Sequence, residues 1–182
     1  MFDNFFILIY NKFMTQNVVL IGMPSSGKSA CGKLLAKRLG LGFIDSDLVI
    51  EGIEQKSLPK LIEEQGAEKF IEIEARINSG LDVMRCVIAT GGSAVYSDHA
   101  MQKLKERGVV VYLKIDAEEI KKRIPDLVLR GVVMHGNCAC VDDLYLERVP
   151  LYEKYQDITI DCNKKSIEEI VEEITTYITE KL

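Results

Sequence analysis

Short apolar, β-branched runs recur along the chain at 17–21 (NVVLI), 86–90 (CVIAT), 109–113 (VVVYL) and 157–161 (DITID). Each predicts a strand, and 42–45 (GFID) predicts a weaker fifth. Between them, spacing of three and four predicts helices at 28–39, 58–65, 67–82, 97–107, 117–123 and 141–154. A last helix opens at Ser166, with Glu169 three residues on as a capping box, and places Ile167, Ile170, Val171, Ile174 and Ile178 on one face. Strands without alternation, separated by helices, require a parallel sheet covered on both faces. The pattern therefore predicts one α/β domain, without repeat, linker or low-complexity tract.

Composition adds limits. A chain of 182 residues fits one core, and 47% hydrophobic with 28% charged residues is the balance of a folded soluble domain. Lysine and arginine number 23 against 28 acids, a net charge of −5 that gives no global attraction to nucleic acid or anionic membrane. The apolar stretch at 5–10 (FFILIY) falls far short of the ~18 residues a spanning helix needs, and no basic or small-residue flanks make it a signal peptide. Met14 stands just ahead of the first strand, so residues 1–13 are expected to be an extension to a domain spanning 14–182. Five cysteines, an odd number, point to reduced thiols and a cytoplasmic setting.

Candidate chemistry begins after the first strand. Gly22-Met23-Pro24-Ser25-Ser26-Gly27-Lys28-Ser29 matches G-x-x-x-x-G-K-[ST] between a strand and a helix, the context this loop requires. Its glycines let backbone N–H groups curl toward phosphate oxygens, and the helix entering through Lys28, Ser29 and Ala30 adds its N-terminal dipole. Lys28 neutralises the outer phosphates of ATP, and the Ser29 hydroxyl suits Mg²⁺. No Asn-Lys-x-Asp guanine signature follows, so a small-molecule or nucleotide kinase is favoured over a GTPase. Asp45 and Asp47 close the second strand, where a period of two directs both carboxylates past the carboxyl edge of the sheet. One suits a Mg²⁺ shell and the other a substrate hydroxyl proton, the bland alternative being an Asp helix cap and a solvated charge.

With these pieces the chain resembles the shikimate kinase family from about residue 17 to its end. The likeness continues through Phe43-Ile44-Asp45-Ser46-Asp47, Gly66-Ala67-Glu68-Lys69-Phe70 leading to Glu74, and Ala89-Thr90-Gly91-Gly92. Arg130 stands in the lid segment (about 124–140) with Arg123 just ahead of it, and Arg148-Val149-Pro150-Leu151-Tyr152 and Asp161 to Lys165 complete the series. The resemblance implies a three-layer P-loop kinase fold with a five-stranded parallel sheet and a mobile lid. It also implies a monomeric enzyme that uses ATP and Mg²⁺ to phosphorylate shikimate. Under it, Gly22, Ser25, Ser26, Gly27, Lys28, Ser29 and Ala30 cradle the nucleotide, with Arg123 on adenine and Lys165 beside it. Ser29 and Asp45 hold the metal, while Asp47, Gly91, Gly92 and Arg148 take the acceptor. Lys28, Asp47 and Arg130 carry the catalysis.

The departures fall on the acceptor side. Ile71 occupies the place of a family arginine that helps grip the substrate carboxylate, which leaves Glu74 without its cation. Lys69 and Arg76 are the nearest replacements in sequence. Ser93 replaces a third glycine, and Gly131-Val132-Val133 replaces Pro-Leu-Leu after the lid arginine. A kinase for another small anionic hydroxylated metabolite, or a nucleotide-binding regulatory protein, are the alternatives these changes raise. His135 with Cys138 and Cys140 lacks the partners of a zinc site, and His99, Tyr145, Tyr152 and Tyr155 read as packing or surface groups. Arg148 also has a bland reading, a surface bridge to Asp143 or Glu147.

Overall fold

The computed structural model describes residues 16–124, 131–136 and 138–181. The segment 1–13, most of 124–130 and Asn137 lie outside them. Five strands form one parallel sheet: β1 (Asn17–Ile21), β2 (Gly42–Asp45), β3 (Cys86–Ala89), β4 (Gly108–Lys114) and β5 (Ile158–Asp161), in the order β2-β3-β1-β4-β5. Val19 of β1 sits opposite Ile88 of β3 and Val110 of β4. Val19, Leu20 and Ile21 are successive and fully buried, so both faces of the central sheet are covered. Only β5, at the edge, alternates buried with exposed residues.

Seven helices surround the sheet among the described residues: α1 (Lys28–Leu39), α2 (Ser46–Glu54), α3 (Leu58–Ser79), α4 (Asp98–Arg107), α5 (Ala117–Arg123), α6 (Val141–Tyr155) and α7 (Ile167–Lys181). α1 packs with α7, and α3 packs with α4. The two helices expected at 58–65 and 67–82 are one element broken at Gly66, whose φ of 83° and ψ of 165° no helical residue adopts. That element stops at Ser79, short of the expected 82, with Gly80 as its cap. At α7 the Ser166–Glu169 box forms in both directions, Ser166 N–H to Glu169 Oε2 at 2.7 Å and Glu169 N–H to Ser166 Oγ at 3.2 Å. Ile170, Val171, Ile174 and Ile178 are buried, but Ile167 is 39% exposed.

One element has no counterpart in the expected pattern. α2 begins directly at the end of β2, and among its residues only Ser46 and Ile50 are buried while Leu48 and Ile53 face solvent. Its inward face is short, Ile50 with Val49 packed beside it at the edge of an apolar cluster. What starts it is Asp45, whose Oδ1 accepts the Asp47 N–H at 3.2 Å as a helix cap. A second, smaller apolar cluster joins α2 and α3 through Ile50, Leu58, Leu61, Phe70 and Ile73, and Val133 plugs into it from the far side.

Candidate active site

The sheet order reverses about β1, which has β3 on one side and β4 on the other, so loops at the carboxyl ends of β1 and β3 meet. They bound a cavity of about 360 Å³ between the 24–30 loop, Asp47, residues 90–93, residues 131–133 and Arg148. At one end, Gly22 has φ +144°, and a Cβ there would stand 2.7 Å from the Leu113 carbonyl oxygen. Gly27 caps α1 with φ 99° and no side-chain hydrogen bond, so the first amides of the helix remain available to an anion. Ser25 holds φ 60°, a backbone conformation uncommon outside glycine, and Ser26 turns back on Met23 through a 3.1 Å N–H···O bond.

Lys28 is buried and folded onto this loop, its Nζ donating to the Gly22 and Met23 carbonyls at 2.7 and 2.8 Å. Burial pushes its pKa down to about 8, opposed by the negative charge of Asp47 and helped by Arg148. Beside it the Ser29 hydroxyl donates to Asp45 Oδ2 at 2.6 Å. Two hard oxygens so placed fit a divalent cation such as Mg²⁺. Asp45 and Asp47 do face one site, but strand alternation is not the cause. β2 ends at Asp45, and Asp47 lies in the first turn of α2, which swings its carboxylate toward Lys28 and Gly91.

The opposite end is built on Arg148. Although it lies on helix α6, it is 1% exposed, and it ignores the neighbouring acids of its own helix. Glu147 instead takes His135 Nδ1 at 3.1 Å and the Cys138 thiol at 2.5 Å, and Asp143 accepts the Cys140 N–H at 3.1 Å. Arg148 Nε donates to the Tyr96 hydroxyl at 3.0 Å and Nη2 to the Val133 carbonyl at 2.6 Å. Its Nη1 lies against Gly92, 3.0 Å from where a Cβ would stand. The guanidinium lines the cavity, makes no salt bridge among the described residues, and has the planar geometry that can grip a carboxylate.

Gly91 and Gly92 form the wall between the two ends. Ser46 Oγ accepts the Gly91 N–H at 3.1 Å, and Tyr152, fully buried, donates its hydroxyl to the Gly92 carbonyl at 2.6 Å. Tyr152 is thus a support of the turn rather than a packing group alone. Behind Gly91 stands Glu74, 1% exposed, with neither oxygen hydrogen-bonded. The Ser93 hydroxyl is near enough to favour its charged form, but falls short of hydrogen-bond geometry; burial prevails and pushes the carboxyl up to about 7. Neither cation nearest in sequence compensates. Lys69 pairs with Glu72 at 2.5 Å and Arg76 with Glu54 at 2.6 Å, both on the exposed side of α3. Ile71 packs at the rim of the smaller apolar cluster.

Of the remaining expected residues, Arg130 lies outside those described. Arg123 is bonded to Glu119 at 3.1 Å and reaches the Ser25 carbonyl at 3.4 Å, which puts it beside the phosphate loop but outside the cavity wall. Lys165 pairs with Glu173 at 2.5 Å at the entrance to α7. Ser46, Tyr96 and Tyr152 were not singled out by sequence for any site role, because each acts on backbone or guanidinium atoms distant along the chain. Tyr152 at least had a signal, its place in Arg-x-Pro-Leu-Tyr.

The tightness of this wall sets one expectation. A Cβ on Gly91 would lie 2.1 Å from Glu74 Oε1 and 2.8 Å from Asp47 Oδ1. Gly91→Ala therefore forces two acidic side chains apart in a packed interior and should destabilise the domain by about 1–3 kcal/mol, read as a lower thermal midpoint.

Comparison with known proteins agrees with the geometry. A sequence model described as shikimate kinase matches residues 24–179. A shikimate kinase of Clostridium botulinum (strain Kyoto / Type A2) is 35% identical over 165 residues, 89% of this chain and 96% of that protein. One from Ruegeria pomeroyi is 34% identical over 161 residues, covering 87% and 83%. Among solved structures, the Acinetobacter baumannii shikimate kinase in complex with shikimate superimposes with a TM-score of 0.81 at 28% identity, covering 95% of this chain and 99% of that one. The Aquifex aeolicus shikimate kinase gives 0.76 at 31% identity over 87% and 94%. On the family match and on identity across nearly the whole length, this chain belongs to the shikimate kinase family.

Proposed function

We propose that the chain transfers the γ-phosphoryl group of ATP to a hydroxyl of shikimate, giving shikimate 3-phosphate and ADP. The observation that carries this is the buried Arg148 at one end of a cavity whose other end is the phosphate loop. That pairing suits an acceptor with a carboxylate at one end and a hydroxyl at the other. The relative from A. baumannii, solved with shikimate, supports the same choice.

Each group then has a task. The α1 amides and Lys28 would neutralise the phosphates, and Asp47 would accept the proton of the attacking hydroxyl. Oxygen bonds to the γ-phosphorus as the bond to the β–γ bridging oxygen breaks, and ADP carries away that electron pair. Ser29 and Asp45 would hold Mg²⁺, which when bound supplies positive charge to the phosphate oxygens. Gly91 and Gly92 would lie against the acceptor, Arg130 would meet the transferring group, and Arg123 with Lys165 would border the adenine. A monomer working in the cytoplasm fits the acidic surface and five free cysteines.

The test is ADP release with ATP and Mg²⁺, which should rise sharply when shikimate is added. No stimulation, with ATP binding intact, overturns the proposal. The isolated Glu74 favours a variant in which a different small hydroxylated carboxylate is the acceptor, and a screen of such compounds would then find the stimulant.

A further inference from the structure

Glu74 is the one buried carboxyl group at the site for which neither the nucleotide nor the metal has a use. α1 turns Lys28 toward it, α2 contributes Asp47, the turn after β3 contributes Ser93, and α6 contributes Arg148 and Tyr152. Asn78, one turn along α3, is buried and also without a partner. The carboxyl presses on Gly91, which lines the cavity, so it lies one residue's thickness from any bound acceptor.

Seating an acceptor carboxylate against Arg148 adds a negative charge to a dry region that already holds Asp47 and Glu74. Among the described residues the cations there are Lys28, which belongs to the phosphates, and Arg148. The added charge bears on Glu74, whose buried carboxyl has no hydrogen bond, and a second anion beside it is strongly disfavoured away from water. A proton relieves it most cheaply at Glu74, which has no hydrogen bond to lose and already favours the neutral form by its burial. Like-charge crowding by the acceptor adds to that preference.

We propose that Glu74 is a positioning residue of the acceptor site, acting through Arg148, and that its carboxyl takes up a proton when an anionic acceptor binds. The inference rests on the acceptor being a small hydroxylated carboxylate. Binding is then linked to pH. Glu74 in the free protein titrates near 7, whereas the acceptor's own carboxyl is ionised throughout the window. The acceptor KM should be flat below this value and rise above it, by about tenfold from about pH 6 to pH 8. Lys28 titrates at about 8, so saturating ATP is used to keep it charged.

The experiment measures shikimate KM across that window for the wild type and for Glu74→Gln. It adds titration calorimetry with shikimate at about pH 7.5 in two buffers of different ionisation enthalpy. The wild type should take up more than half a proton on binding, and Glu74→Gln should take up none and lose the slope in KM. Ile71→Arg, which places a cation one turn away on α3, should abolish the uptake by holding Glu74 ionised. A flat wild-type KM with no proton uptake overturns the proposal while leaving shikimate as acceptor. So does a slope that survives Glu74→Gln, which would assign it to another group. Absence of both turnover and binding heat at every pH overturns the acceptor reading, and the linkage with it.

Discussion

Lys28→Ala is expected to lower phosphoryl transfer about a thousandfold or more, with the fold intact. The ammonium is the only side-chain cation among the described residues that lies inside the phosphate loop, and it is already directed there by the Gly22 and Met23 carbonyls. No neighbouring side chain can take its place, since Arg123 is held outside by Glu119. Stability should respond differently. A lysine whose pKa falls to about 8 is held in the folded state at a cost, on the order of 3 kcal/mol, that alanine does not bear. Between about pH 8 and its ordinary value, the unfolded chain binds a proton that the folded chain has released, so wild-type stability rises with pH there. The variant should lack this rise and, with the two lost carbonyl hydrogen bonds offsetting part of the relief, show a thermal midpoint at pH 7 equal to or above that of the wild type. Retained activity would refute the site, and global unfolding would refute the energetic account. Turnover assays and thermal melts at several pH values distinguish these results.

Arg148→Met should reduce kcat/KM for the acceptor by about a thousandfold, close to 4 kcal/mol, while ATP affinity is unchanged. Methionine fills much of the space, so the loss comes from the fork and not from a cavity. Two opposing effects act on stability. The Tyr96 hydroxyl and the Val133 carbonyl lose a partner, which costs, but a buried charge without a counter-ion disappears, which helps. The midpoint should therefore shift little. Arg148→Lys is not a conservative change at this place, because a single ammonium cannot reach Tyr96, Val133 and a ligand together. Steady-state kinetics with each substrate varied in turn check the asymmetry. Equal losses for ATP and acceptor would mean that Arg148 shapes the whole site rather than its acceptor end.

Much of this was legible in the chain itself, for identifiable reasons. The phosphate loop is contiguous, and every residue it needs stands within eight positions, from Gly22 to Ser29. The inner strands β1, β3 and β4 could be read because burial on both faces writes uninterrupted apolar runs, and the break at Gly66 separated two helical patterns. α2 was missed where it follows β2 with no residue between them, and its absence misplaced Asp47 on a strand. The roles of Ser46, Tyr96 and Tyr152 depend on partners 45, 52 and 60 residues away and have no local trace. Glu74 was visible as an acid deprived of its arginine. Only the three-dimensional arrangement shows that Lys69 and Arg76 are turned outward to other acids.

The Val133 carbonyl holds the guanidinium of Arg148 from a segment that contributes no charge to the site. One side chain thus both lines the cavity and is aimed by the backbone of residues 131–136. Sequence drift in that stretch translates into the aim of the fork. Under the proposed function the choice of acceptor would be recorded twice in this chain, once in the groups lining the cavity and once in the loop that keeps Arg148 pointed.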